Sequence, residues 1–123
     1  MPHCVLEYSS NILEKDKTKE ALKVIHNVLD NTGLFKLSDI KSRAIEHHNF
    51  LIGDGDASRA FVALTVSILS GRSDEVKISI STACAEALKN FFAESFEQLK
   101  LSLTVQINEM DKGSYTRINN FQS

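Results

Sequence analysis

The sequence has few of the residues that shape a chain on their own. Its 123 residues include one proline, two cysteines, five glycines and no tryptophan. The cysteines, Cys4 and Cys84, show no metal-ligand spacing, and we expect both to be free thiols in the core. The single proline, Pro2, directly follows Met1 and is therefore not ordinary turn punctuation.

The chain also lacks an excess of either charge and any long apolar run. There are 14 Lys and Arg against 16 Asp and Glu, for a formal net charge of −2. This balance argues against a nucleic-acid partner and against an acidic membrane surface. No apolar run reaches about 18 residues, and no signal-peptide pattern is visible at the start. We expect a cytoplasmic protein of one domain, residues 1–123, in which association supplies further burial.

Pro2 is the residue with the most unusual chemistry. An initiator Met before a small residue is normally removed, and its removal would leave a secondary amine at the start of a strand. An α-amino group titrates near about 8, and burial or nearby cations lower that value. A base poised near neutral pH suits general acid/base catalysis. The alternative is that Pro2 merely follows the start residue and has no chemical role.

The first half of the chain has a strand–helix–strand pattern. Residues 3–8 alternate in hydrophobicity, which predicts a strand. Residues 18–31 carry apolar side chains at helical spacing, and Gly33 fits a left-handed cap at the end of that helix. Residues 40–47 then predict a second strand. Its odd-numbered residues share one face, so Lys41 and Arg43 project side by side.

The same pattern returns in the second half. Residues 60–69 are almost continuously apolar, which predicts a central strand covered on both faces or in a parallel pair. Ser73 is a good N-cap for one long helix whose predicted buried face runs to Ser95. Leu101 to Ile107 alternate as a last strand. Two βαβ units, with halves of about 1–57 and 58–123, predict an α/β (α+β) fold: a four-stranded sheet with two helices on one face.

Several other polar clusters predict no chemistry. His47 and His48 are adjacent, which places them on opposite faces of a strand and suits no shared metal. The acidic turn at Asp54 and Asp56 lacks the later glutamate of a calcium loop. We expect no metal site, and no thiol nucleophile at Cys84.

Short motifs along the whole chain resemble one known family. The resemblance is carried by the order and spacing of these stretches: Met1-Pro2-His3, Gly33-Leu34-Phe35 with Leu37, Ser42-Arg43, the run at residues 68–77 that contains Gly71-Arg72-Ser73, and residues 108–113. The run at 68–77 resembles the strand-to-helix junction of the tautomerase superfamily. The chain is about twice as long as the short tautomerase subunits. Together with this length, the set of motifs resembles the 5-carboxymethyl-2-hydroxymuconate isomerase family.

The resemblance implies a tautomerase-like fold and a homotrimer. It also implies an isomerase in which an amino-terminal proline shuttles a proton in a 1,3-allylic keto–enol isomerisation, within the degradation of homoprotocatechuate and related aromatic acids. No cofactor and no metal are implied, and the partner is a small carboxylate substrate. The segment 111–120 resembles a C-terminal hairpin that packs on a neighbouring subunit, where Tyr115 is expected in interface packing.

The resemblance further implies roles for individual residues. Pro2 would carry the proton, and Arg72 would hold a carboxylate or polarise the oxygen on which charge develops. Lys41 departs from the family, which usually has arginine there, and loses the guanidinium fork; Arg43 is its possible substitute. The alternative for both is a solvated strand cation. Phe35 would line the pocket or simply pack in the core.

Two other functions stay open on the sequence. The tautomerase fold also hosts other activities on the same amine, including dehalogenation, decarboxylation and promiscuous tautomerisation of phenylpyruvate or 2-hydroxymuconate. The third possibility is a catalytically silent trimeric binding or structural protein, to which Lys41 and a retained Met1 would lend weight.

Overall fold

A computed structural model of the chain describes residues 1–121 and shows a four-stranded mixed sheet. The elements are β1 (His3–Ser9), α1 (Thr18–Asn31), β2 (Lys41–His47), β3 (Arg59–Leu69), α2 (Asp74–Phe91), α3 (Ala93–Gln98) and β4 (Lys100–Met110), with short 3-10 turns at Lys15–Lys17, Leu37–Asp39 and Lys112–Ser114. The strand order is β2-β1-β3-β4. The pairs β1–β2 and β3–β4 are parallel, and β1–β3 is antiparallel. The predicted fold class is confirmed.

The first helix forms where the apolar spacing predicted it. Ala21, Ile25 and Leu29 are spaced four residues apart and are fully buried, so they make one stripe facing the sheet. Gly33 follows the helix with a φ of 73°, which a residue with a side chain rarely adopts. Its N–H donates to the carbonyl oxygen of Asp30 at 3.1 Å, which closes the last turn.

The second helix begins as predicted but ends earlier. The hydroxyl of Ser73 accepts the N–H of Val76 at 3.2 Å. The predicted single helix is interrupted after Phe91, and α3 starts at Ala93. Phe92 at this break is fully buried, whereas Ala83, predicted on the buried face, is exposed. The helical pattern is therefore interrupted at the residue whose ring enters the core.

The core lies between the helices and one face of the sheet. Alternate residues of β1 and β3 join the buried residues of α1 and α2 in one cluster. β3 is a central strand in a parallel pair with β4, which is one of the two predicted alternatives. Its other residues are only partly buried, so within the chain the strand is covered on one face. No helix among the residues described is long and apolar enough to cross a membrane.

The strand register places one end of each of the four strands side by side, along the edge of the sheet that runs across the strands. His3 lies opposite Lys41 and Ser67, and Leu69 lies opposite Met110. The starts of β1 and β2 therefore lie beside the ends of β3 and β4. At this edge Gly71 has a φ of 116°, which permits the turn that carries the chain from β3 into α2.

Candidate active site

Pro2 lies at this edge, buried and fixed by the sheet. Its side chain is among those that are fully buried, and its carbonyl oxygen accepts the N–H of Lys41 at 3.1 Å. The amine of Met1 donates to the carbonyl oxygen of Asp39 at 3.0 Å. Burial, and then the positive charge of Lys41, lower the pKa of this amine from 8.0 to about 6. An amine at this edge is thus largely neutral at pH 7.

Lys41 is the predicted cation that reaches the amine. Its Nζ donates to the same carbonyl oxygen of Asp39 at 2.9 Å, and the ring centroid of Phe121 lies 5.7 Å from it. Arg43 shares its face of β2, as the alternation predicted, but is exposed. Lys41 is therefore the strand cation that makes a hydrogen bond beside the amine, whereas the exposed Arg43 acts there through its charge on His3.

His3 and Tyr115 contact each other beside the Met1 amine and Lys41. The Nε2 atom of His3 lies 2.9 Å from the hydroxyl of Tyr115. Burial, followed by the charges of the terminal amine, Lys41 and Arg43, lowers the pKa of His3. A neutral imidazole adds hydrogen-bonding capacity at this edge without adding charge.

Arg72 and Phe35 meet at the same edge. The guanidinium carbon of Arg72 lies 5.1 Å from the centroid of the Phe35 ring, and Nη2 lies 3.4 Å from the carbonyl oxygen of Leu34. Phe35 also packs on the core, as Met1 does. The packing role of Phe35 is therefore observed, and its role in lining a substrate pocket stays a prediction. Within residues 1–121 no hydrogen bond or ion pair links this pair to Pro2 or Lys41.

Arg117 and Asp39 lie beside the amine, and the sequence did not indicate either of them. Arg117 Nη1 lies 3.0 Å from Asp39 Oδ1. Burial opposes ionisation of Asp39, but the hydrogen bond and charge of Arg117 outweigh it and lower the pKa of this carboxyl. Arg117 lies outside any strand or helix, so no periodicity or motif pointed to it.

The C-terminal segment, residues 111–121, differs from the expected hairpin. It contains the short turn Lys112–Ser114 and no strand among the residues described. The side chain of Asp111 accepts the N–H of Gly113 at 3.3 Å, which starts this turn. The segment then runs over the beginning of its own chain, where Tyr115 meets His3 and Arg117 meets Asp39.

The remaining candidate groups are engaged elsewhere. His47 pairs with Glu7 at 2.8 Å, and His48 pairs with Glu46 at 3.1 Å. In the part of the chain that the structure describes, no group of three His, Cys, Asp or Glu side chains forms a metal site.

The two thiols are buried in the core as predicted. Cys4 and Cys84 are both free. Burial raises the pKa of Cys4 to about 12 and that of Cys84 to about 11. The reactive thiolate is therefore scarce at neutral pH.

Comparison with known proteins identifies the family. The sequence model of the family described as 5-carboxymethyl-2-hydroxymuconate isomerase matches residues 2–123. The chain is 32% identical over 110 residues to a 5-carboxymethyl-2-hydroxymuconate Delta-isomerase of Escherichia coli, covering 89% of this chain and 87% of that protein.

Solved structures give the same result. A 5-carboxymethyl-2-hydroxymuconate isomerase from Deinococcus radiodurans R1 is 33% identical, with a TM-score of 0.89 over 97% of this chain and 90% of that one. A fused 4-OT symmetric trimer, 16% identical, shares the fold with a TM-score of 0.74 over 97% of this chain and 94% of that one. This chain therefore belongs to the 5-carboxymethyl-2-hydroxymuconate isomerase family, and it is an isomerase.

Proposed function

We propose that the nitrogen of Pro2, freed by removal of Met1, is the base of a 1,3-allylic keto–enol isomerisation. The observation that carries this proposal is that burial and Lys41 lower the pKa of the Met1 amine, at this edge, to about 6. Removal of Met1 would transfer the terminal amine to Pro2, which directly precedes β1. The new amine would keep Lys41 as a neighbour, because the Pro2 carbonyl accepts the Lys41 N–H.

The proposed substrate is an unsaturated 2-hydroxy or 2-oxo acid with two or three carboxylates. Neutral Pro2 takes the proton of the 2-hydroxyl group, the O–H bond breaks and a carbonyl forms. The double bond shifts, and the same proton is returned to the carbon at the far end of the conjugated system. The nitrogen ends as it began and no electrons leave the substrate, so the chemistry needs no oxidant, metal or organic cofactor.

Cations at this edge bind the negative groups of the substrate. Arg72 offers a planar fork that binds a carboxylate or the oxygen on which charge develops. Phe35 holds that guanidinium in place by stacking. Lys41 attracts a second carboxylate as a point charge.

The proposal extends to assembly and location. A solved relative of the same fold is described as a symmetric trimer, and β2 and β4 each have one unpaired edge within the chain. We propose a homotrimer with one amine site per chain, working in the cytoplasm on acids from aromatic breakdown. The two buried free thiols suit a reducing compartment.

Blocking and restoring the nitrogen tests the proposed base. A protein with a cleavable extension before Pro2 keeps that nitrogen as an amide, and its turnover of 2-hydroxymuconate should fall by about 100-fold or more. Protease cleavage that leaves Pro2 first, verified by intact mass, should restore the rate. Pro2→Ala should also lower kcat/KM. Equal rates for the blocked and cleaved proteins would refute a catalytic Pro2.

A further inference from the structure

The terminal amine and two side-chain cations converge on one acidic residue, Asp39. The Met1 amine and Lys41 Nζ both donate to the backbone oxygen of Asp39, at 3.0 and 2.9 Å. Arg117 pairs with the Asp39 carboxylate. The carboxylate of Asp39 balances only one of the two side-chain cations, Lys41 and Arg117, so this group keeps an excess of positive charge that favours an anion.

The Arg117 guanidinium retains unused donors. The contact with Asp39 joins one nitrogen, Nη1, to one oxygen at 3.0 Å, and the Arg117 side chain is 41% exposed. A guanidinium has five N–H donors in a planar fork. Among residues 1–121, Asp39 is the only acidic partner of Arg117, so donors remain on the solvent side of this pair.

Contacts on either side hold Arg117 beside the amine. Two residues before it, the Tyr115 hydroxyl meets His3 at 2.9 Å. Four residues after it, the Phe121 ring lies 5.7 Å from Lys41 Nζ. The segment is thus fixed to β1 on one side and to β2 on the other, which places the guanidinium close to the terminal amine. In keeping with this, the charge of Arg117 contributes to the lowered pKa of that amine.

We propose that Arg117 determines specificity by binding the substrate carboxylate that lies remote from the reacting carbon. Arg117 thereby supplies, from the C-terminal segment, the guanidinium fork that Lys41 cannot provide. This inference rests on the proposed function, since it assigns one end of the substrate of that same site. It makes dicarboxylates better substrates than monocarboxylates.

The competing explanation is that Arg117 only tethers the C-terminal segment through Asp39. A tether would serve every substrate alike, whereas a carboxylate ligand serves only substrates that carry the second carboxylate. The readout that separates them is the ratio of kcat/KM for 2-hydroxymuconate, a dicarboxylate enol, to kcat/KM for phenylenolpyruvate, a monocarboxylate enol.

The experiment compares three full-length variants with the wild type. Arg117→Gln should lower the ratio by about tenfold or more, mainly through KM for 2-hydroxymuconate, because a charge-assisted hydrogen bond is lost. Asp39→Asn breaks the same ion pair but keeps the guanidinium, so the ratio should stay within roughly fivefold of wild type. Lys112→Gln is the matched control: it removes an exposed cation of the same segment and should leave the ratio unchanged.

The outcomes separate this inference from the function on which it rests. Equal losses on both substrates in Arg117→Gln, or an equal fall of the ratio in Asp39→Asn, would show a tether and overturn the inference while the isomerase stands. A wild-type protein that converts neither enol would instead overturn the proposed function, and the inference with it. Circular dichroism of each variant confirms that the fold is intact.

Discussion

Arg72 is held beside Phe35 by weak contacts that fix its direction. The guanidinium stacks on Phe35, and its one hydrogen bond, to the backbone of Leu34, is long at 3.4 Å. An exposed cation–π contact contributes about 0.5–1 kcal/mol. The side chain can therefore be removed at little cost to the fold, which makes it a clean test of binding.

Arg72→Ala should lower kcat/KM for 2-hydroxymuconate by about 100-fold, because the substrate loses a charged hydrogen-bond partner. The melting temperature should fall by no more than about 5 °C. Arg72→Lys keeps the charge but not the fork and should recover only part of the rate. Steady-state kinetics and thermal melts give both values; an unchanged kcat/KM in Arg72→Ala would remove this residue from the site.

Titration of the terminal amine also links the site to stability. Its pKa is about 6 in the fold against 8.0 for an ordinary amine. Between these values the unfolded chain binds more protons than the folded one. The contribution of this group to stability therefore rises as the pH increases from about 6 to about 8.

Sequence reasoning found part of this site and not the rest. Short motifs indicated Pro2, Phe35 and Arg72, and strand alternation indicated Lys41; all four lie at the same edge of the sheet. Arg117 was not indicated, because its partner lies 78 positions earlier in the chain and its segment has no repeating pattern. Contacts between irregular segments depend on tertiary packing, which period and propensity do not encode.

At the scale of elements, a buried carboxylate joins the loop before α1 to α3. Glu14 is 7% exposed and accepts the backbone N–H of Ser95 at 3.1 Å as well as the Ser95 hydroxyl. The hydroxyl oxygen of Ser95 in turn accepts the backbone N–H of Leu13 at 2.9 Å. These bonds satisfy buried polar groups on both elements.

Glu14→Ala should lower the free energy of unfolding by about 1–3 kcal/mol, because buried donors on Ser95 lose their acceptor. Urea denaturation followed by circular dichroism measures the change. Glu20→Ala, which removes an exposed glutamate of α1, is the control and should stay within about 0.5 kcal/mol of wild type. Equal effects in the two variants would show that the buried contact contributes nothing special.

The elements themselves were largely predictable. Alternation of apolar and polar residues predicted β1 and β4. Apolar residues at helical spacing, followed by a capping glycine, predicted α1. The break at Phe92 was not predictable, because apolar spacing continues through it and only the packed core decides which ring is buried. The continuous apolar sequence of β3 predicted either two covered faces or a parallel pair, and the structure shows the parallel pair with β4 in the centre of the sheet.

The whole molecule leaves apolar surface and strand edges uncovered in a single chain. β2 and β4 are the edge strands of the sheet. Large apolar side chains are exposed on several elements: Leu37 at 51%, Ile45 at 42%, Leu51 at 79% and Ile78 at 62%. Uncovered edges and apolar side chains of this kind favour association between copies.

We therefore expect the protein in solution to have about three times the 13.7 kDa of one chain. Size-exclusion chromatography with light scattering measures this mass directly. A mass of one chain, unchanged up to high micromolar concentration, would contradict the trimer and leave each site on a single chain.

The most direct test of the account is a nitrogen-15 NMR titration of protein labelled at proline, in which Pro2 is the only one. We predict a titrating secondary amine whose pKa lies below about 7, as expected for a partly buried nitrogen near Lys41. A signal that does not titrate, as for an amide still bonded to Met1, or one that titrates at about 8 or above, would contradict the central claim.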